Sequence, residues 1–164
     1  MAEKHADAVR REIRFFVPIV PRGQARARSR VMRKKSGAMV AMHYTGSEQR
    51  GAADTLREAM AGHHPGYVID GPTWIGLGVL LPIPASWSKR KKIDAISGRI
   101  FPISRPDLDN VLKHVLDVMN GWWFGDDRQI VGLLPGTGKF YSLHPGYRIE
   151  IIWQDTAETG VVAT

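Results

Sequence analysis

Pro106-Asp107-Leu108-Asp109-Asn110-Val111-Leu112-Lys113-His114-Val115-Leu116-Asp117-Val118-Met119-Asn120-Gly121 is the stretch on which the fold turns. Leu108, Val111, Leu112, Val115, Leu116 and Met119 recur at the three- and four-residue spacing of a single helical stripe. Pro106 is suited to a first helical turn, and Asn120-Gly121 supplies a C-terminal stop. The helix that follows is about twelve residues, or roughly 18 Å, long. Asp109, Lys113 and Asp117 lie four apart on its opposite side.

The flanks of this helix read as strands. Upstream, Pro72 to Leu81 contains Trp74, Ile75, Leu77, Val79 and Leu80 and is closed by Pro82 and Pro84, as a central strand would be. Downstream, Trp122-Trp123-Phe124-Gly125 and the Asp126-Asp127 pair lead into Gln129 to Leu134. A Pro135-Gly136-Thr137-Gly138 turn and a strand near Lys139 to Leu143 follow. In the last strand Tyr147, Ile149, Ile151 and Trp153 alternate with Arg148, Glu150 and Gln154. Nearer the N-terminus, Ile13 to Val20 reads as a strand ended by Pro18 and Pro21, and Ala38 to Tyr44 as a short one. Thr45 or Ser47 can cap a helix running to about Gly62, with Ala53, Leu56, Ala59 and Met60 as its stripe.

At 164 residues and 43% hydrophobic composition the chain fits one domain with a real core. We expect an α+β fold at 13–154, with flexible segments at 1–12 and 155–164. There is no Cys, which excludes disulfides, Cys-ligated zinc, iron–sulfur clusters and thiol catalysis. Met1 to Arg14 alternates charges without an apolar leader region, and no run approaches the roughly 18 apolar residues of a spanning helix. A cytoplasmic location without membrane attachment is therefore expected.

Lys and Arg number 23 against 16 Asp and Glu, a formal +7, which is the electrostatic footprint of a nucleic-acid partner. The basic residues gather in two stretches. Arg22, Arg26, Arg28, Arg30, Arg33, Lys34 and Lys35 form the first, read as a solvated loop too polar for a strand that orders on phosphates. Trp87-Ser88-Lys89-Arg90-Lys91-Lys92 forms the second, read as a loop running on toward Arg105. Arg22, Arg26, Arg28, Arg30, Lys89, Arg90, Lys91, Lys92 and Arg105 are the candidate DNA contacts.

Against this background Asp107, Asp109, Asp126 and Asp127 stand close together in sequence. Full ionisation of such a cluster calls for a cation, and Mg²⁺ prefers carboxylate and water oxygens and bridges to phosphate. Helix capping accounts for one or two of these acids but not for a second pair returning after the helix. Residues two apart on a regular helix point about 200° apart, so Asp107 and Asp109 share an ion only if Asp107 is still extended. Asp126 or Asp127 must then be brought back beside them by the Trp122 to Gly125 loop. The chemistry suited to this group is metal-assisted phosphodiester hydrolysis, with Lys113 stabilising phosphate charge or orienting water. Lys113 is also placed for a salt bridge to Asp109 one turn away. A non-catalytic basic DNA-binding module and a metal nuclease acting on flaps or structured RNA remain alternatives.

Taken together, Arg105-Pro106-Asp107-Leu108-Asp109-Asn110, Lys113, Leu116-Asp117, Asn120-Gly121 and Asp126-Asp127-Arg128-Gln129-Ile130 resemble the RusA-type Holliday-junction resolvases, found largely in phages and prophages. Val20 to Arg26 and Pro82 to Lys89 look like two further family stretches, so the resemblance spans roughly residues 14 to 154. It implies catalytic aspartates at Asp107, Asp109 and Asp127, with Lys113 as the essential lysine. Asp126 is then a neighbouring metal-ligand candidate. The implied fold is a small mixed sheet with two helices. The implied enzyme is a homodimer that uses Mg²⁺, with Mn²⁺ substituting, to resolve four-way DNA junctions by paired nicks during recombination and repair. Phe101-Pro102-Ile103 departs from the more polar residues expected before the motif.

Other signals carry less. Gly136-Thr137-Gly138-Lys139 lacks the earlier Gly and the Ser or Thr of a phosphate loop and reads as a hairpin turn. The six histidines show no zinc spacing, although His114 beside Lys113 is a candidate DNA contact. Trp122, Trp123 and Phe124 suit core or dimer packing better than base stacking.

Overall fold

The computed structural model describes residues 9–22, 28–33, 36, 39–44 and 47–155, and it bears out an α+β domain built on a mixed sheet. Chain order is β1 (Arg10–Val17), β2 (Arg28–Arg33), β3 (Met39–Tyr44), α1 (Ser47–Ala61), β4 (Thr73–Pro82), α2 (Lys89–Ile96), α3 (Leu108–Met119), β5 (Ile130–Leu133), β6 (Gly138–Ser142) and β7 (Gly146–Gln154). The main sheet runs β1-β7-β4-β5, with β6 also paired to β4, and β2-β3 form a separate hairpin.

Why β4 lies centrally follows from its composition. Its residues are buried on both faces along most of its length, as a strand covered on two sides requires. β7 pairs with it antiparallel on one side, while β5 and β6 pair with it parallel on the other. Alternation then decides the faces. Ile13, Ile151 and Ile75 form one cross-strand row, Phe15, Ile149 and Leu77 the next, and Val17, Tyr147, Val79 and Lys139 a third. These rows join Leu56 and Met60 of α1 and Val111, Val115 and Met119 of α3 in the core, so the two helices cover this face. The other face carries Glu12, Arg14, Glu150 and Arg148 in partly exposed positions, with Arg14 donating to Glu150 at 3.0 Å.

Several sequence expectations need correction. The first basic stretch is not a loop throughout, because Arg28–Arg33 is a strand paired in register with Met39–Tyr44. A short apolar strand cannot satisfy its backbone alone, and ladder bonds do not depend on side-chain polarity. The second basic stretch is helix α2, capped by Ser88, whose side chain accepts from the Lys91 amide. The described residues thus hold three α-helices rather than two. β1 begins at Arg10 inside the segment expected to be flexible and ends at Val17, where Pro18 removes the next donor. Asp155, assigned to the tail, is buried; it accepts from Trp153 Nε1 at 2.9 Å and pairs with Arg11. The Pro135 to Thr137 turn closes no hairpin. β5 and β6 run in the same direction along one edge of β4, and Thr137 Oγ1 bridges the gap by donating to the Leu134 carbonyl and accepting from the Leu77 amide. Segments 1–8 and 156–164, with Arg26, Lys34 and Lys35, lie outside the described residues.

Candidate active site

α3 is the scaffold of the acidic motif. Asp107 is its N-cap residue, with extended backbone (φ −73°, ψ 137°), and its carboxylate makes no capping bond. That is the geometry two carboxylates two residues apart need in order to face one ion. Asp109 occupies the first turn. Both side chains are exposed and have no hydrogen-bond or ion-pair partner among the described residues. The segment before them, joined to Pro106 by a cis peptide bond, is fastened from β6: Lys139 Nζ donates to the carbonyls of Ser104 at 2.7 Å and Pro106 at 3.1 Å. Since Lys139 is aligned with Val79, the acidic start of α3 lies toward the C-terminal end of β4.

The far end of α3 is built differently. Gly121, at φ 71°, takes the left-handed conformation that stops the helix, and its amide bonds the Phe124 carbonyl at 2.8 Å. Trp123 and Phe124 are fully buried here, as expected of core residues, while half-buried Trp122 stacks on His64. Asp126 then caps a single 3₁₀ turn, Asp127–Gln129. Its carboxylate accepts from the Arg128 amide at 2.9 Å and lies 3.4 Å from the Arg128 guanidinium, while Gln129 accepts from the Asp126 amide. Gln129 also donates to the carbonyls of Ile69 and Gly71, which pins the turn just before β4 begins. Asp127, by contrast, is exposed and has no partner among the described residues.

The two acidic groups therefore lie at opposite ends of one helix. Ile130 is aligned with Thr73 and Lys139 with Val79, six residues apart on β4, which is about 20 Å of strand. The Trp122 to Gly125 loop turns Asp127 toward the start of β4 instead of back along α3. Accordingly, no group of three or more His, Cys, Asp or Glu side chains among the described residues is placed to hold a metal ion. Within one copy Asp107 and Asp109 both stand at the start of α3, and Asp127 does not join them.

Lys113 is exposed, and its ammonium lies 3.6 Å from Asp117, not against Asp109 as the spacing also allowed. That leaves Asp109 without a partner among the described residues. Of the basic candidates, Lys89, Arg90 and Lys91 are exposed on α2, with the Lys91 ammonium 3.9 Å from the centre of the Trp87 ring. Lys92 is spent on the Ala85 carbonyl at 2.8 Å. Arg105 and Arg22 are exposed, and Arg28 and Arg30 lie on β2. Lys139, the fastener of the α3 start, was missed by sequence reading, since no motif marks a lysine that bonds carbonyls 33 and 35 residues away. The capping role of Asp126, however, was visible in its spacing to Gln129.

Beyond the geometry, the chain is similar to known proteins. It is 37% identical over 97 residues to an uncharacterized protein of Bacillus subtilis (strain 168), YqaN; the match covers 58% of this chain and 66% of that relative. The family model of endodeoxyribonuclease RusA matches residues 18–152, a span that contains both acidic groups, Lys113 and Lys139. The chain belongs to the RusA endodeoxyribonuclease family.

Proposed function

We propose that the protein is a divalent-metal-dependent endodeoxyribonuclease that resolves four-way DNA junctions as a homodimer, each site using Asp107 and Asp109 of one copy and Asp127 of the other. The observation that carries this reading is the contrast among the acids. Asp126, Asp117 and Asp94 are engaged by Arg128, Lys113 and Arg99, while Asp107, Asp109 and Asp127 stand exposed without partners among the described residues. Unpaired carboxylates in a chain of net charge +7 suit a cationic ligand of another kind.

A two-fold dimer answers the separation along α3. Rotation by 180° sets the start of one α3 against the far end of the other and completes two equivalent sites at once. Apolar residues flank both halves. Ile103 is 98% exposed and Phe101 is exposed just before Asp107, and Val131 and Leu133 are exposed just after Asp127. Joining the first pair to the partner's second pair would bury both patches, which a monomer leaves in water at a cost. Two sites related by a two-fold axis match a junction that must be nicked symmetrically.

Mg²⁺ or Mn²⁺, bound by these hard oxygen donors, would supply Lewis-acid polarisation of the phosphate. The remaining work belongs to the chain. Lys113, about 6 Å along the helix from Asp109, places an ammonium beside the phosphate and neutralises charge that grows in the transition state. The basic face of α2, packed against β6, leads DNA toward the α3 start. On a synthetic four-way junction, Asp109→Asn and Asp127→Asn should each abolish cleavage while junction binding in EDTA at fixed salt survives. Cleavage retained by either variant refutes the site. Metal-independent behaviour throughout would indicate a binding module, and equal cutting of flaps and junctions a broader substrate.

A further inference from the structure

A second concavity lies at the same end of the sheet as Asp107 and Asp109. Tyr147 shares its cross-strand row with Val79 and Lys139, and Lys139 fastens the α3 start. Between this row, the chain after β1 and the flank of α1 is a cavity of 660 Å³, within the range of about 300–1,000 Å³ for small-ligand sites. Its walls are apolar at Ile19, Val20, Ala52 and Leu56, and its polar groups converge from three elements.

Those groups are unusually available. His114, from α3, is 5% exposed and lines the cavity, yet its imidazole has no hydrogen-bond partner among the described residues. Facing the cavity, its ring nitrogens are open to water or to a ligand. Burial lowers its pKa below the ordinary value of 6.5, with Asp117 opposing, which favours the neutral ring with one donor and one acceptor nitrogen. Tyr147 accepts from the Arg22 amide at 3.0 Å and keeps its own hydroxyl hydrogen to donate. Thr55 donates to the Gly51 carbonyl at 2.7 Å, which leaves its oxygen able to accept. Gly51 itself sits inside α1 with nothing among the described residues within 4 Å of where a Cβ would stand. A helix-interior glycine with no steric need sacrifices about 0.5–1 kcal/mol relative to alanine, and this one is among the residues lining the cavity.

We infer that this cavity is a nucleobase pocket: it takes one base unstacked at the branch of the DNA, held edge-on by His114, Tyr147 and Thr55 between apolar walls, with Arg22 at the rim for the adjoining phosphate. The inference rests on the reading of the chain as a nuclease on branched DNA. A flat heterocycle with a donor beside an acceptor matches the three polar groups, and a base at a branch point costs least to unstack. His114 follows Asp109 by five residues, about 7.5 Å along the helix, so a base held there sets the register of the strand over the acidic group. The pocket is thus a source of sequence preference at the cut, separate from the metal ligands.

The test is a cycle between pocket and base. Ala52→Trp, and as a second variant Thr55→Trp, fill the cavity from solvent-accessible positions of α1 without disturbing the core. Affinity is measured in EDTA at one salt concentration for an intact four-way junction and for junctions made abasic at each branch-flanking nucleotide in turn. The wild-type chain should lose roughly tenfold in affinity at one of these positions, the scale of a single base contact. Each filled variant should bind the intact junction as weakly as the wild-type chain binds the abasic one, and lose nothing further. A wild-type chain indifferent to every abasic position, or filled variants that keep the wild-type discrimination, would overturn the pocket and leave the nuclease reading standing. Failure of the wild-type chain to prefer a junction over duplex would bring down that reading and the pocket with it.

Discussion

Mixing two inactive variants separates a site shared between copies from a site held within one. Ligands of one Mg²⁺ sit about 2.1 Å from it, so their oxygens lie within about 4 Å of one another. The twelve residues of α3 hold the two acidic groups apart by about 18 Å, a gap no rotamer change closes. In a dimer of one Asp109→Asn copy and one Asp127→Asn copy, one shared site loses both acids. The other combines the intact Asp109 of one copy with the intact Asp127 of its partner. Random pairing of equal amounts makes about half of the dimers mixed, so about a quarter of all sites are restored. The assay is nicking of a supercoiled plasmid that extrudes a cruciform. Each variant alone should leave the plasmid supercoiled, and the mixture, after subunit exchange, should yield mainly nicked circles. Linear product should lag, because a mixed dimer has one working site where two paired cuts are needed. If differently tagged subunits are shown to exchange and nicking still stays at the level of the single variants, the shared site is refuted.

Three further outcomes follow from the packing. Gly146→Ala should destabilise the fold by at least 1–3 kcal/mol, roughly the cost of overpacking, because its Cβ would stand 2.4 Å from the Val17 carbonyl oxygen and 2.5 Å from the Phe16 ring; an unchanged denaturant midpoint would contradict that contact. Gly51→Ala should stabilise the isolated protein by about 0.5–1 kcal/mol, read as a rise in urea midpoint at constant slope. His114→Phe should flatten the acid side of the stability profile. With a folded pKa below 6.5, the unfolded chain binds the extra proton first, so wild-type stability holds above about 6.5 and falls as pH drops from there toward the lowered folded value. Thermal melts between pH 7 and pH 5 should show a smaller loss in the variant, and equal losses would remove His114 as the cause.

Elements with strong local signals were legible before any coordinates. The 3.6-residue stripe from Leu108 to Met119, its Asn-Gly stop, the apolar run of β4 and the alternation of β7 each report the environment of their own side chains, and each appears where expected. Legibility failed where partners lie far away in sequence. Arg28–Arg33 becomes a strand because Met39–Tyr44 lies beside it, and β5 and β6 share an edge because both find β4. α2 is a different case. Ser88 was present as a cap, but the positive run obscured a helix whose Ala95 alone is fully buried.

What the sequence determined by itself is the chemistry on offer: the candidate carboxylates and ammonium, the net positive charge, and the absence of thiols. These are properties of residue identity and short spacing, so they survive without a fold. What only the tertiary structure decided is distance. It fixed Asp127 at the far end of α3 from Asp107 and Asp109, engaged Asp126 in a cap, paired Lys113 with Asp117, and left the His114 imidazole facing a cavity. The reason is that an α-helix is a rigid rod, and the direction in which the chain leaves it is set by long-range pairing with the sheet.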